Sequence, residues 1–324
     1  MIKAKAPFRI SFFGGGTDFP EYYESHGGCV LSTTIDKYCS ASFRQLMPIF
    51  PFKNQLTYSK IERFNTPEEL QHPLVREALK LFPVDRIQIF YDGDLPACTG
   101  LGTSSSFAVA LLAALHTIRK EPFTKATLAE EAVFLERHIL KEAGGVQDQY
   151  AAAFGGFNRM DFSADGISVS SLSIPEAALT KLQNNLHLFF TGFTRFSFEI
   201  SQAQKNNISR TLSYLNELCR LTDAAQKLLE DGEVDAFGAL LDEEWHLKKQ
   251  LTDRVTNATI DMLYQKAKNV GATGGKILGA GGGGFMLLYV PEQEKEQFLK
   301  SFSGFEFVDF RFENQGVTID GSQL

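Results

Sequence analysis

The apolar and polar positions of residues 2–13 (IKAKAPFRISFF) read as a strand that stops at Gly14-Gly15-Gly16. CVLSTTI and CSASFRQL follow as two further strands on either side of Asp36. Between Thr66 and Leu81 the residues Leu70, Leu74, Val75, Ala78 and Leu79 recur with a helical rhythm, and RIQIFYDGDL (86–95) returns to the alternation of a strand. FAVALLAALHTI (107–118) is an apolar run long enough for a buried helix. A second helix is expected over about 124–143, with Leu128, Ala132, Leu135 and Ile139 on one face and Gly144-Gly145 as its stop. VQDQYAAAFGG then opens a short third helix.

Beyond a hairpin-like stretch (FNRMDF, ISVSSLSI) the character changes. LHLFFTGF reads as a strand, and residues 197–268 as almost continuous, charge-rich helix. KILGAGGGGFMLLYV is a glycine turn into a strand, PEQEKEQFLKSF a helix, and FEFVDFRFE a last strand. This order predicts a second α+β unit of sheet and helices. The boundary falls near residue 180, which divides the chain into 1–180 and 181–324.

Length agrees with that division, because 324 residues suit two domains of roughly 100–200 residues each. Hydrophobic residues make up 44% of the chain, enough for two cores. The net charge of −7 argues against general nucleic-acid binding, which needs a basic surface. Cys29, Cys39, Cys98 and Cys219 form no C-x-x-C pair, so they are expected as reduced thiols of a cytoplasmic protein rather than as a zinc or redox motif. The N-terminal run, broken by Arg9 and Ser11, is no signal peptide, and no stretch approaches the roughly 20 apolar residues of a membrane span.

The sharpest feature is PACTGLGTSSS (96–106), small and polar residues directly ahead of the apolar helix. Gly100 and Gly102 permit backbone angles and close approach that side chains block. The N–H groups of Thr103, Ser104 and Ser105 would stand free at the helix N-terminus, a ready site for a polyphosphate, and hydroxyls there can reach a bound Mg²⁺. Taken alone the same residues also read as a Ser-rich cap on a core helix. A Walker loop is excluded, because Lys276 is followed by Ile277 and Val270 stands where the first glycine belongs. GAGGGG (279–284) has dinucleotide-fingerprint spacing, but a strand follows it where the fingerprint needs a helix.

Pro96 and Gly100-Leu101-Gly102-Thr103-Ser104-Ser105 resemble the central motif of the GHMP kinases, the group of galactokinase, homoserine kinase, mevalonate kinase and phosphomevalonate kinase. Ala6-Pro7-Phe8-Arg9-Ile10 with Gly14-Gly15-Gly16-Thr17-Asp18 resembles the family's N-terminal motif, and residues 274–285 (GGKILGAGGGGF) its C-terminal one. Thr103 departs from the usual serine but keeps a hydroxyl. The resemblance implies a two-domain α+β fold, with an N-terminal ribosomal-protein-S5-like α/β domain, a C-terminal ferredoxin-like α+β domain, and the site in the cleft between them. It implies a phosphotransferase that uses ATP and Mg²⁺, with Gly100, Leu101, Gly102, Thr103, Ser104 and Ser105 around the phosphates.

The resemblance also assigns roles to single residues. Glu136, in VFLERH, would hold Mg²⁺ with Ser104, although alone it reads as a solvated acid at the edge of its helix's apolar face. Asp148 would accept the proton of the attacking hydroxyl or act electrostatically, with Arg9 beside it; alone it reads as a helix N-terminal acid. Within the family, residues 8–18, 145–156, 191–195, 243–249 and 271–276 look closest to the D-glycero-D-manno-heptose 7-phosphate kinases. That likeness implies phosphorylation of the anomeric C1 hydroxyl, on the route to nucleotide-activated heptose. Asp18, with Thr17 and the turn glycines Gly281 and Gly282, is then expected at the sugar, and Arg195 and Lys276 at its phosphate. On residue grounds Asp18 is also a turn residue, Arg195 and Lys276 are surface charges, and Trp245 is helix packing. A kinase of an unphosphorylated sugar such as L-fucose, and a non-catalytic sugar or nucleotide sensor, are the alternatives.

Overall fold

The computed structural model describes residues 1–194 and 197–321. Two antiparallel-rich sheets organise it. The larger is founded on β1 (Ile2–Phe13) and β2 (Gly28–Gln45). On β1 the even-numbered residues Ala4, Ala6, Phe8, Ile10 and Phe12 are buried in the main core, which turns Arg9 and Ser11 to the opposite face. The stretch expected as two strands around Asp36 is one long strand. The β1–β2 register shifts between Pro7 and Phe8, opposite Asp36 and Lys37, so the break expected there is a bulge inside a continuous element. Pro7, which has no N–H to give the ladder, sits at this irregularity.

The hairpin β3 (Asn54–Thr57) and β4 (Ile61–Phe64) and the strand β5 (Ile87–Gly93) extend the sheet in the order β1-β2-β5-β3-β4. A second hairpin, β6 (Asn158–Ser163) and β7 (Gly166–Ser171), joins β2 near its start. Three helices precede or connect these strands: α1 (Pro20–His26), α2 (Pro73–Leu81) and α3 (Thr103–Arg119). Helix α3 is apolar almost all round because β1 and β2 cover one side of it and α4 (Lys125–Val133) and α5 (Gln147–Phe154) the other. The helix expected over 124–143 is shorter and changes type. After α4 comes a π-helical turn, Phe134–Ile139, and Lys141 is left-handed three residues before Gly144.

The smaller sheet contains β8 (Leu186–Phe190), β9 (Gly274–Ile277), β10 (Phe285–Tyr289) and β11 (Phe307–Val308) in the order β11-β8-β10-β9, all antiparallel, which is the ferredoxin-like arrangement. Helices α6 (Glu176–Asn185), α7 (Ser197–Glu230), α8 (Phe237–Lys248), α9 (Ala258–Asn269) and α10 (Lys295–Ser301) surround it. Trp245 is fully buried in this half's core. FEFVDFRFE, expected as one strand, is divided. Its start forms β11 in the small sheet, and β12 (Phe312–Glu313) pairs with β2 of the large one. Then β13 (Thr318–Asp320) pairs with β1, so the chain's end is built into the first sheet and a cut at residue 180 does not separate two contiguous units. No described helix is long and apolar enough to cross a membrane.

Candidate active site

Among the described residues six charged side chains are almost fully buried: Arg9, Asp18, Glu136, Glu244, Lys248 and Lys276. Buried charge is costly unless paired, so its concentration marks a site. Five of the six line one cleft, and the sixth, Glu244, is bonded to one of those five.

Arg9 faces the cleft because its β1 neighbours Phe8 and Ile10 face the core. Its Nε donates to Asp148 Oδ1 at 2.7 Å and its Nη2 to Asp148 Oδ2 at 2.8 Å. The remaining nitrogen, Nη1, donates to the carbonyl of Gly100 at 2.5 Å. One guanidinium therefore ties the acid at the start of α5 to the loop ahead of α3. Gly100 and Gly102 both have positive φ (86° and 72°). A Cβ on Gly100 would meet Leu278 O at 2.4 Å, and one on Gly102 would sit 3.3 Å from Asp148 Oδ2. Only glycine lets the loop lie this close to both partners. The first bond into α3 runs from Ser106 N to Gly102 O, and no acceptor among the described residues takes the N–H groups of Thr103, Ser104 and Ser105. Leu101 is in the core and its carbonyl accepts from Arg9 N at 3.1 Å, which leaves only its N–H for any ligand.

Glu136 sits on the π-helical turn, a distortion that turns this side chain inward instead of along the α4 face. Its Oε1 accepts from Ser104 Oγ at 2.8 Å, and its Oε2 from Ser105 Oγ at 2.7 Å and Gln149 Nε2 at 2.6 Å. Burial, with a smaller push from Glu142, raises its pKa to about 7 despite those donors. A cation here would offset that cost. Ser104, Glu136 and the unpartnered buried Oε1 of Gln149 form a hard-oxygen set of the kind Mg²⁺ takes. Among the described residues no three His, Cys, Asp or Glu side chains converge as a metal site, so a metal would also need oxygens from its nucleotide.

Asp18 is held from three sides. Gly16 N donates to Oδ1 at 3.0 Å, and Gln147 donates to Oδ2 through its backbone N at 3.2 Å and its Nε2 at 3.1 Å. Burial, with help from the charge of Asp148, raises its pKa over the lowering pull of these bonds. Gly281 borders the same cleft.

Several expected site residues have other work. Thr17 Oγ1 shares its proton between the carbonyls of Gly14 and Cys29 and accepts from Cys29 N, so it staples the glycine turn to β2, and it is fully buried away from the cleft. Gly282 spends its N–H on Val255 O at 2.7 Å. Lys276 is no surface charge: its Nζ donates to Glu244 Oε1 at 2.8 Å and to Phe12 O at 2.7 Å. The β1–β2 register shifts at Phe12, which frees that carbonyl for the lysine. Its charge is matched inside the protein, so it is not a free cation for a substrate phosphate. Arg195 lies outside the described residues.

Residue reasoning passed over Lys248, Glu244, Gln147 and Gln149. Glu244 and Lys248 stand four apart on α8, a spacing that signals a shared helix face but ordinarily means a solvated pair. The two glutamines flank Asp148 at the start of α5, where successive side chains point in different directions, one to Asp18 and one to Glu136.

Comparison with known proteins adds an independent line. The family model described as GHMP kinases N terminal domain matches residues 71–156, and the one described as GHMP kinases C terminal matches 225–305, together more than half of the chain. A D-glycero-alpha-D-manno-heptose 7-phosphate kinase of Campylobacter jejuni is 28% identical, with 98% of each chain covered. A bifunctional fucokinase/GDP-fucose pyrophosphorylase of Arabidopsis thaliana is 26% identical over 92% of this chain but only 30% of its own length. A galactokinase of Thermococcus kodakarensis is 25% identical over 91% of each. Among solved structures, a D-glycero-D-manno-heptose 1-phosphate kinase from Bacteroides thetaiotaomicron superposes with a TM-score of 0.82 at 24% identity over the whole of both chains.

Proposed function

The chain belongs to the GHMP kinases, and on that premise we propose that it moves the γ-phosphoryl group of ATP to the anomeric C1 hydroxyl of a D-glycero-D-manno-heptose 7-phosphate. It is a phosphotransferase acting on a sugar hydroxyl. The observation that carries the proposal is the contact between loop and acid: the Gly102 turn lies directly against the Asp148 carboxylate. Phosphates cradled on the free N–H groups of Thr103, Ser104 and Ser105 are then next to a group that can receive a proton.

Phosphoryl transfer is mostly positioning and charge stabilisation. Arg9 fixes the plane of the Asp148 carboxylate, and each oxygen keeps a lone pair for an incoming hydroxyl. The C1 oxygen attacks the γ-phosphorus, its proton goes to Asp148, and the bond to the β-phosphate oxygen breaks to release ADP. Ser104 and Glu136 would hold Mg²⁺, which when bound offsets phosphate charge. Asp18, pinned by three N–H donors, orients the sugar through its remaining lone pairs. Such an enzyme works where ATP and soluble sugar phosphates are, and we place it in the cytoplasm.

The likeness to the Campylobacter jejuni relative along 98% of both chains supports heptose 7-phosphate over a free sugar. The test is ADP release across heptose 7-phosphate, free heptose, L-fucose and galactose, with NMR of the product. Turnover is expected with heptose 7-phosphate and a new C1–O–P linkage. A preference for L-fucose or galactose would overturn the sugar assignment and leave the kinase assignment standing.

A further inference from the structure

The six buried charges do not all pair. Arg9 is closed against Asp148 and Lys276 against Glu244. Lys248, Asp18 and Glu136 have no ion-pair partner among the described residues, although each is about as buried as the paired residues. Asp18 carries the sugar-orienting role above and Glu136 the metal-holding one. Nothing so far uses Lys248.

Lys248 ends α8 with its ammonium aimed at the glycine turn after β9. Its Nζ donates to Ile277 O at 3.1 Å and to Gly279 O at 2.5 Å. Two carbonyl dipoles locate an ammonium but do not neutralise it, and one of its three protons remains uncommitted. The side chain borders the cleft that also holds the phosphate loop, and that loop lies against the same turn: a Cβ on Gly279 would be 2.5 Å from Gly100 Cα. We propose that Lys248 is a phosphate-contacting residue, whose ammonium receives a non-bridging oxygen of a phosphoryl group reaching the cleft floor beside Arg9 and Asp18.

The electrostatics agree with this placement. Burial, and next the charge of Lys276 on β9, hold the Lys248 pKa well below the ordinary lysine range. Glu244 on the same helix raises it, Arg9 on β1 lowers it and Asp18 raises it. An arriving phosphate supplies the missing anion and favours the protonated amine. The source of the phosphate is either the γ-position of the nucleotide or the sugar phosphate, and the chemistry of contact is the same. The inference rests on the kinase reading and not on which sugar is used.

The experiment measures binding of Mg²⁺·AMP-PNP, Mg²⁺·ADP and heptose 7-phosphate to wild type, Lys248→Met and Lys248→Arg by calorimetry, with thermal melts alongside. Lys248→Met is expected to weaken AMP-PNP, heptose 7-phosphate or both by about tenfold or more, and to leave ADP within about twofold. Lys248→Arg should recover most of the loss. The weakened ligand identifies the source of the phosphate. No weakening of AMP-PNP or heptose 7-phosphate, or an equal loss for all three ligands, would overturn the proposal; the second result means that Lys248 only braces the turn. If Lys248→Met does not fold, wild type decides in mildly alkaline buffers of different ionisation enthalpy. Proton uptake on binding AMP-PNP or heptose 7-phosphate, beyond that with ADP, is expected, and its absence sinks the idea. Failure of heptose 7-phosphate to bind wild type would remove the sugar assignment, and the AMP-PNP arm would still judge Lys248.

Discussion

Arg9 grips Asp148 through two parallel bonds of 2.7 and 2.8 Å and spends its third nitrogen on Gly100, so one side chain sets the distance between the acid and the glycine loop ahead of α3. A bidentate fork of this kind fixes orientation as well as charge, which lysine cannot reproduce. Asp148→Asn keeps the shape but cannot take a proton. Its kcat should fall by about 10²-fold or more while nucleotide affinity stays near wild type. Near-normal kcat would remove Asp148 from the chemistry. Arg9→Lys should lower kcat too, with a smaller effect on nucleotide binding.

Glu136 gives the metal-free protein a pH signature. Its carboxyl titrates near 7 in the folded chain against the ordinary carboxylate value of 4.5, because burial disfavours the anion. Between these values the folded state binds a proton that the unfolded state has lost, so stability falls as pH rises through that window. The full effect is on the order of 3 kcal/mol. In EDTA, wild type should therefore melt lower at about pH 8 than at about pH 5 relative to Glu136→Gln, which has no such titration. Mg²⁺ with nucleotide should restore wild type at the higher pH and help Glu136→Gln less. Parallel melting curves for the two proteins would show that Glu136 is not the titrating group.

Gly145 makes room for Asp18. A Cβ there would fall 1.7 Å from Asp18 Oδ2, far inside contact distance, so Gly145→Ala must move the carboxylate or the loop. The expected result is a KM for the sugar raised about tenfold or more, with the KM for ATP changed much less. Equal rises in both constants would mean that Asp18 belongs to the scaffold and not to the sugar.

Lys276 and Glu244 form a closed pair beneath the cleft and tie β9 and α8 to the end of β1. Removing one partner strands a buried charge, so Lys276→Met alone should cost about 3–5 kcal/mol of stability. The double variant Lys276→Met/Glu244→Leu should regain most of that loss, since both charges go together. Urea unfolding of the three variants measures the coupling. Additive losses would show that the two residues are not a pair.

The elements themselves were largely legible along the chain. The apolar run of α3, the strand alternation of β5 and the glycine turn into β10 are local patterns, and local sterics and burial decide them. The free N–H groups of the loop ahead of α3 were legible for the same reason, because unsatisfied donors at a helix start follow from helix geometry and need no distant partner. Pairing was not local. Lys276 reads as a cation available to a phosphate until Glu244 and Phe12, 32 and 264 residues away, are placed around it. Thr17 reads as a sugar ligand until Cys29 takes its hydroxyl, and Glu136 reads as an edge acid until a π-helical turn faces it to Ser104. Lys248 reads as one lysine of a charged helix; only the fold buries it without an ion-pair partner among the described residues. Residue types and spacing thus determined which chemistry was present. Tertiary structure decided which charges were already satisfied and which were left open to a ligand, because a charge is neutralised by neighbours in space and not in sequence.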